Sequence, residues 1–162
     1  MAELIGPGWD LPAEVREAVD FHWFHVVPGR SLVLTVLSDA PVWYVGHYQG
    51  RRMRRCMGES CELCAQGLGS QVRYVLGAVE VATRTVGVIE MGKSNALLVR
   101  SWAGRNGGLR GMTLELSKSS SHKQSRMELL YIDRPAAPWI SGLKAPDLAA
   151  ALHRTWERMG SG

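Results

Sequence analysis

The sequence predicts a single mainly β (α+β) domain, and three observations agree on this. Apolar residues recur mostly at every second position in short runs separated by glycine and proline, which is typical of half-buried strands. Before the C-terminal segment only one clear helical pattern interrupts these runs, so alternating βα units are not expected. At 162 residues and 46% hydrophobic content, the chain can bury one core, and no composition shift divides it.

The N-terminal part of the chain is predicted to hold an extension and two strands. Residues 1–30 form the extension, with a short helix over residues 13–19. Buried strands follow over residues 31–37 and 42–48. Alternation along the second strand places Trp43, Val45 and His47 on one face and Val42, Tyr44 and Tyr48 on the other.

The middle of the chain is predicted to hold a long strand and a helix. Residues 71–85 form the long strand, in which Gly77 marks a bulge or a sharp bend. Residues 86–91 continue the strand character, and residues 93–104 read as a short amphipathic helix that ends in glycines.

Two further strands and a final helix complete the predicted order. The strands span residues 109–116 and 127–133, and a proline-rich connector begins the segment 134–162. The helix spans about residues 146–159 and is expected to pack on the sheet or on a partner protein. In the first of these strands the residues predicted to point inward are Met112, Leu114 and Leu116, while Thr113 and Glu115 point outward. The apolar face of the helix carries Leu148, Leu152, Trp156 and Met159.

Cysteines cluster between the second and third strands. Cys56, Cys61 and Cys64 are the only cysteines of the chain, and a Cys-x-x-Cys step lets two thiolates reach one ion. The hairpin before them should bring His47 close to Cys56, so His47 is the preferred fourth ligand, with His122 as its rival. Three thiolates and one imidazole make a closed structural zinc site. The alternatives are three free thiols, or a redox Cys-x-x-Cys with Cys56 uninvolved.

The order of these elements is that of a five-stranded OB-fold Greek-key barrel over residues 31–133. The zinc knuckle, residues 47–64, would join strands 2 and 3, and the helix over residues 93–104 would plug the barrel. In this fold nucleic acid crosses the second and third strands.

Positive charge is concentrated directly before the zinc knuckle. The net charge is only +4, but four arginines surround Met53 and no acidic residue occurs in residues 49–58. Such a run is often a solvated surface, yet the aromatic residues beside it favour contact with unpaired bases. The predicted contacts are Trp43, Tyr44, Tyr48 and Tyr74 for stacking, and Arg51, Arg52, Arg54, Arg55, Arg73, Lys118, Lys123 and Arg126 for phosphates.

Residues 87–94 match the phosphate-binding pattern Gly-x-x-x-x-Gly-Lys-Ser. The match is interpreted as coincidental, because the Val-Ile-Glu-Met segment inside it is bulky, β-forming and negatively charged. No catalytic constellation is found elsewhere, so the protein is not expected to be an enzyme.

The segment from His47 to Cys64, with the following strand, helix and hairpin, resembles the zinc-containing single-stranded DNA-binding proteins of T-even-like phages, the helix-destabilising family. Cys61 and Cys64 share the Cys-x-Leu-Cys form of that family, and the likeness covers roughly residues 30–133. It implies an OB barrel whose zinc loop is held by one histidine and three cysteines. It also implies sequence-tolerant binding of single strands in a cleft lined by aromatics and arginines.

These observations predict a protein that binds single-stranded nucleic acid, DNA rather than RNA, in replication, recombination or repair. A zinc-stapled docking subunit and an RNA-binding module are the alternatives, and the C-terminal helix is the candidate contact for a protein partner. The chain has neither a run of about twenty apolar residues nor a basic, then apolar, N-terminus. A cytoplasmic protein, in the nucleoid or in phage-infected cytoplasm, without membrane contact is therefore expected.

Overall fold

The computed structural model describes residues 21–50, 52–119 and 126–160. The strands are β1 (Leu32–Val36), β2 (Val42–Gln49), β3 (Arg52–Arg55), β4 (Ser70–Glu80), β5 (Val86–Gly92), β6 (Thr113–Ser117) and β7 (Glu128–Ile132). The α-helices are α1 (Glu62–Ala65), α2 (Lys93–Asn106) and α3 (Leu148–Gly160). The helix predicted over residues 13–19 lies outside the described residues. No helix in the described ranges is long and apolar enough to cross a lipid bilayer.

All seven strands belong to one antiparallel sheet built around β4. β2 and then β1 pair along one edge of β4, and β5 pairs along the other edge. β3 forms a hairpin with β2, while β6 pairs with β1 and β7 with β6. Because β1 and β2 both run antiparallel to the same edge of β4, they act as one bent strand interrupted at residues 37–41.

The interruption changes which residues face the main core. On β1 the even-numbered residues Leu34 and Val36 are buried in the main core. On β2 the odd-numbered Trp43 lies on the core side instead, because it pairs with Tyr74, which packs against the main core. Side chains alternate along a strand, so the faces reverse when the segment between β1 and β2 has an odd number of residues more than the paired stretch of β4. The predicted separation of Trp43 and His47 from Tyr44 on β2 is confirmed by these pairings.

A helix packs on each face of the sheet. The main core joins Leu76 and Met91 of the sheet to Val99 of α2. On the opposite face α3 packs against the same strands; this cluster comprises Tyr44, Val75, Val88, Leu148, Ala151 and Leu152. The apolar face predicted for the final helix is therefore used within the chain, because Leu148, Ala151 and Leu152 are buried against its own sheet.

The closed five-stranded barrel is the part of the fold prediction that differs from the structure, because the described part of the chain forms seven strands in an open sheet. Among the described residues β5 and β7 do not pair. At Val88 the outer edge of β5 is instead covered by Trp23 in a parallel bridge, with the Phe24 N–H donating to the Val88 carbonyl over 2.8 Å. The segment around Trp23 thus bonds to the edge of β5 with which β7 would pair in a closed barrel.

Two local predictions are also corrected. The long strand ends at Glu80, and a turn leads to Arg84, whose φ of 59° is left-handed, before β5 begins. Thr113, predicted to point outward, is buried. Its hydroxyl lies 2.9 Å from that of Thr35 on β1, so the two hydroxyls form a hydrogen bond that makes burial possible.

Candidate metal centre and nucleic-acid interface

A tight hairpin brings the first two candidate ligands together. Gln49 pairs with Arg52, so the chain reverses direction after Gly50, whose φ of 59° suits glycine. Immediately after β3, the Cys56 N–H donates to the Val45 carbonyl over 2.8 Å. This bond extends the hairpin ladder by one step and places Cys56 beside His47.

A single helical turn presents the other two thiols. Cys61 is the N-cap of α1, and Cys64 follows one turn later on the same side. The Ala65 N–H donates to the Cys61 carbonyl over 3.1 Å, and the Cys61 N–H donates to the Gly58 carbonyl over 3.1 Å. The local backbone therefore holds both thiols facing His47.

The four ligand atoms form a compact group. They all lie within 4.8 Å of one another, with the His47 Nε2 3.5 Å from the Cys61 Sγ and 3.4 Å from the Cys64 Sγ. The Sγ atoms of Cys56 and Cys64 are 3.6 Å apart, and all three cysteines are free. A tetrahedral zinc ion with usual bond lengths requires S···S edges of about 3.8 Å and N···S edges of about 3.6 Å. Three of the six edges come within about 0.2 Å of these values and the others are no longer than 4.8 Å, so the four atoms can surround one tetrahedral ion.

His47 is oriented by its other ring nitrogen. The side chain is fully buried, and Nδ1 donates to the Gly69 carbonyl over 3.1 Å. This bond fixes the tautomer that leaves the Nε2 lone pair facing the thiols, as is usual for metal-binding histidines. The sequence carries no signal for the contribution of Gly69, which is a backbone carbonyl.

Neighbouring groups perturb the titration of the four side chains. A hydrogen bond with Cys56 raises the pKa of His47, and a backbone hydrogen bond from Gly58 lowers the pKa of Cys56. Backbone hydrogen bonds, first from Met57 and then from Cys64, lower the pKa of Cys61 to about 6. The hydrogen bond with Cys56 raises the pKa of Cys64 to about 11. Without a metal the site thus holds protons that an incoming ion must displace.

The metal loop, residues 56–69, has no apolar core of its own. Cys61 is its only buried residue, and the buried clusters of the described chain include no side chain from it. An ion held by all four side chains would have no coordination position left for water and would cross-link the loop to β2. The rival ligand His122 lies outside the described residues.

One sheet face carries an exposed ring and, farther along the same hairpin, two arginines. Trp43 is 64% exposed, and β2 alternation places it on the side of His47 and Gln49, whose partners on β3 are Arg54 and Arg52. Both arginines are exposed. We call Trp43, Arg52 and Arg54 the Trp43 face; it adjoins the metal loop.

On the opposite face three other predicted contacts are occupied. Tyr44 is buried and its hydroxyl donates to the Glu90 carboxylate, while the Arg73 Nε donates to the same carboxylate over 3.1 Å. The Arg55 guanidinium lies 4.5 Å from the centre of the Trp156 ring of α3. Burial first, and the bond to Glu90 second, raise the pKa of Tyr44. The predicted stacking role of Tyr44 is therefore corrected, because its ring lies in the core beneath α3.

The remaining predicted contacts are scattered. Tyr48 is 57% exposed and shares the face of Tyr44, whereas Tyr74 is half-buried beside Trp43. Lys118 and Arg126 flank the end of the β6–β7 hairpin, and Arg51 and Lys123 lie outside the described residues. Sequence reasoning missed that Glu90 and Trp156 contact three of these predicted residues, because the partners lie far apart in the chain.

The phosphate-binding pattern at residues 87–94 has no loop in the structure. Val88 and Ile89 are ladder residues of β5, and the Val88 N–H donates to the His22 carbonyl over 2.7 Å. Lys93 and Ser94 begin α2. The backbone N–H groups that would cradle a phosphate are thus part of a sheet, which agrees with interpreting the pattern as coincidental.

Comparison with protein-family models, curated proteins and solved structures finds no match for this chain. The likeness to the phage single-stranded DNA-binding family therefore stays a prediction that depends on the residues of the metal loop.

Proposed function

We propose that this protein binds single-stranded nucleic acid, DNA in preference to RNA, on the Trp43 face, and that a structural zinc ion supports this face. The observation that carries the proposal is the placement of a 64% exposed tryptophan and two exposed arginines on one side of the β2–β3 hairpin. An exposed aromatic ring on the same face as guanidinium groups suits an unpaired base and the phosphates of its strand.

Zinc is the ion that the donor set favours. Three thiolates and an imidazole are soft to borderline ligands, and a tetrahedral sulfur-rich group is typical of structural zinc. His47 and Cys56 would tie the ion to the hairpin, while Cys61 and Cys64 would tie it to α1. When bound, zinc supplies a cross-link that holds the loop against the end of the Trp43 face.

The spacing on the Trp43 face suits an extended strand. Trp43 and the position opposite Arg54 are four residues apart along β2, which corresponds to about 13 Å. An unpaired strand can place one base on the ring while its backbone passes the arginines. A duplex keeps its base faces stacked inside, so it cannot use the ring in this way.

The strand connectivity supports an OB-type arrangement. β1 and β2 act as one bent strand, β4 and β5 follow as a meander, α2 intervenes, and the β6–β7 hairpin returns beside β1. With β1 and β2 counted as the first strand, this is the order of an OB barrel, a fold that often binds single strands without sequence preference. In that order the metal loop lies between the first and second barrel strands, whereas the sequence placed it between the second and third. A role in replication, recombination or repair of DNA follows from such binding.

The test is fluorescence anisotropy of labelled oligo-dT, with oligo-U and a duplex of the same length, at several salt concentrations. We expect binding of dT over duplex, with a linear fall of log affinity against log salt. Replacing Arg52 and Arg54 together by Ala should reduce the slope by about 1.4, since each single-strand phosphate contact contributes about 0.7. Arg154→Ala, which removes an exposed charge from α3, is the matched control.

Trp43→Ala should weaken dT binding by roughly tenfold or more, because it removes the stacking ring. The proposal is wrong if wild-type protein loaded with zinc binds neither dT nor U at low salt, or binds duplex as tightly as dT. Equal or tighter binding of oligo-U would move the assignment from DNA to RNA.

A further inference from the structure

A cleft of about 590 Å³ opens between the sheet and α2, on the same side of the sheet as Trp43. Tyr74 and Met91 line it from β4 and β5, Leu97 and Ala103 line it from α2, and Asp39 and Arg100 add charged groups. Cavities of 300–1,000 Å³ with mostly apolar walls and a few polar groups are typical of ligand sites.

We propose that this cleft accepts one or more unstacked bases of the strand bound on the Trp43 face. The inference rests on the proposed function and gives that strand a second base site. Tyr74 is the cross-strand neighbour of Trp43, and directly opposed residues lie only about 5 Å apart. A strand stacked on Trp43 therefore reaches the cleft with its next base.

The walls and the charges favour a nucleobase over an apolar peptide. Leu97 is 53% exposed although it lines the cleft, so flat apolar surface is left uncovered there. Arg100 lies on the cleft wall formed by α2, and Arg52 and Arg54 lie farther along the Trp43 face. These arginines give the path of the bound strand a positive charge, which suits a polyanion. The Asp39 carboxylate can accept hydrogen bonds from base N–H groups while the backbone stays outside.

The experiment compares an oligo-dT with an abasic oligonucleotide of the same length, which keeps the phosphates and lacks the bases. Wild-type protein should prefer dT by at least about tenfold. Leu97→Glu places a charge in the cleft, and Leu98→Glu places the same charge one residue away, on a 46% exposed side chain outside the lining. Leu97→Glu should reduce the preference several-fold more than Leu98→Glu, with equal abasic affinity in both.

A second pair of variants fills the cleft without adding charge. Gly104 lines the cleft, and a Cβ there meets no atom within 4 Å. Gly104→Phe should lower the dT preference, while Gly104→Ala, which also raises helix propensity but adds little volume, should not. Circular dichroism melting shows that each variant is folded before its binding is compared.

The outcomes separate this inference from the proposed function. If wild-type protein binds neither oligonucleotide, the proposed function itself fails. If it prefers dT and both cleft variants keep that preference, the bases bind elsewhere and only the inference fails. A wild-type dimer in sedimentation velocity that Leu97→Glu converts to a monomer would make the cleft an interface between copies, which also overturns the inference.

Discussion

Removing the metal should unfold the metal loop and leave the sheet intact. Cys61 is the only buried residue of the loop, and α1 is a single turn of four residues that has no stability in isolation. Structural zinc in small sites binds with an apparent free energy of roughly 10–16 kcal/mol, so each of four ligands contributes about 3 kcal/mol. Cys64→Ser should therefore weaken zinc binding about a hundredfold.

Zinc content per chain and competition with a chromophoric chelator measure the affinity. Hydrogen exchange reads the local structure, through the amides of Ala65 and Leu68, which each bond to a loop carbonyl over 3.1 Å, and through those of the central strand β4. Chelation should release the two loop amides while the amides of β4 stay protected. Met57→Ser, at an exposed side chain of the same loop, is the control and should change neither readout.

Two results would refute this reasoning. If the loop amides keep their protection after complete chelation, the backbone bonds alone hold the loop and the metal is not structural. If the amides of β4 lose protection together with the loop, the cross-link supports the whole sheet and the separation between loop and core is wrong.

Three further outcomes are expected. In the metal-free protein the pKa of Cys64 is about 11, so this thiol keeps its proton at neutral pH and releases it when zinc binds. Zinc affinity measured by chelator competition should therefore rise at least about tenfold per pH unit between roughly pH 6 and 8. An affinity that does not change with pH would contradict this. Gly77→Ala places a Cβ 2.6 Å from the ring of Pro146 and should cost about 1–3 kcal/mol in urea unfolding, whereas Gly142→Ala, with no atom within 4 Å, should be nearly neutral. Trp156→Ala removes a half-buried ring from α3 and should lower the free energy of unfolding by about 2–3 kcal/mol; unchanged stability would show that α3 contributes little.

The metal-ligand set could be predicted from the sequence because each step that forms it is local. Cys56, Cys61 and Cys64 lie within nine residues, and a tight turn at Gly50 connects them back to His47. Hairpin pairing and one helical turn are short-range geometry, which a sequence pattern describes well. The face groupings along β2 were predictable for the same reason, since alternation depends only on the strand period.

Closure of the sheet was not predictable, because it depends on which segment reaches the edge of β5. Alternating residues mark a strand as half-buried, but they do not say whether its free edge pairs with β7 or with the chain near Trp23. Edge pairing joins residues far apart in the chain, so the local pattern of a strand does not decide between them.

The sequence by itself therefore indicated most of the strands, the two longer helices, and the grouping of His47 with the three cysteines. Only the tertiary structure decided which aromatic and basic residues remain available. Tyr44 and Arg73 both bond to Glu90, and Arg55 meets Trp156 of α3, so these three are occupied while Trp43 is exposed. Alternation shows which residues share a face, but long-range packing determines what covers that face.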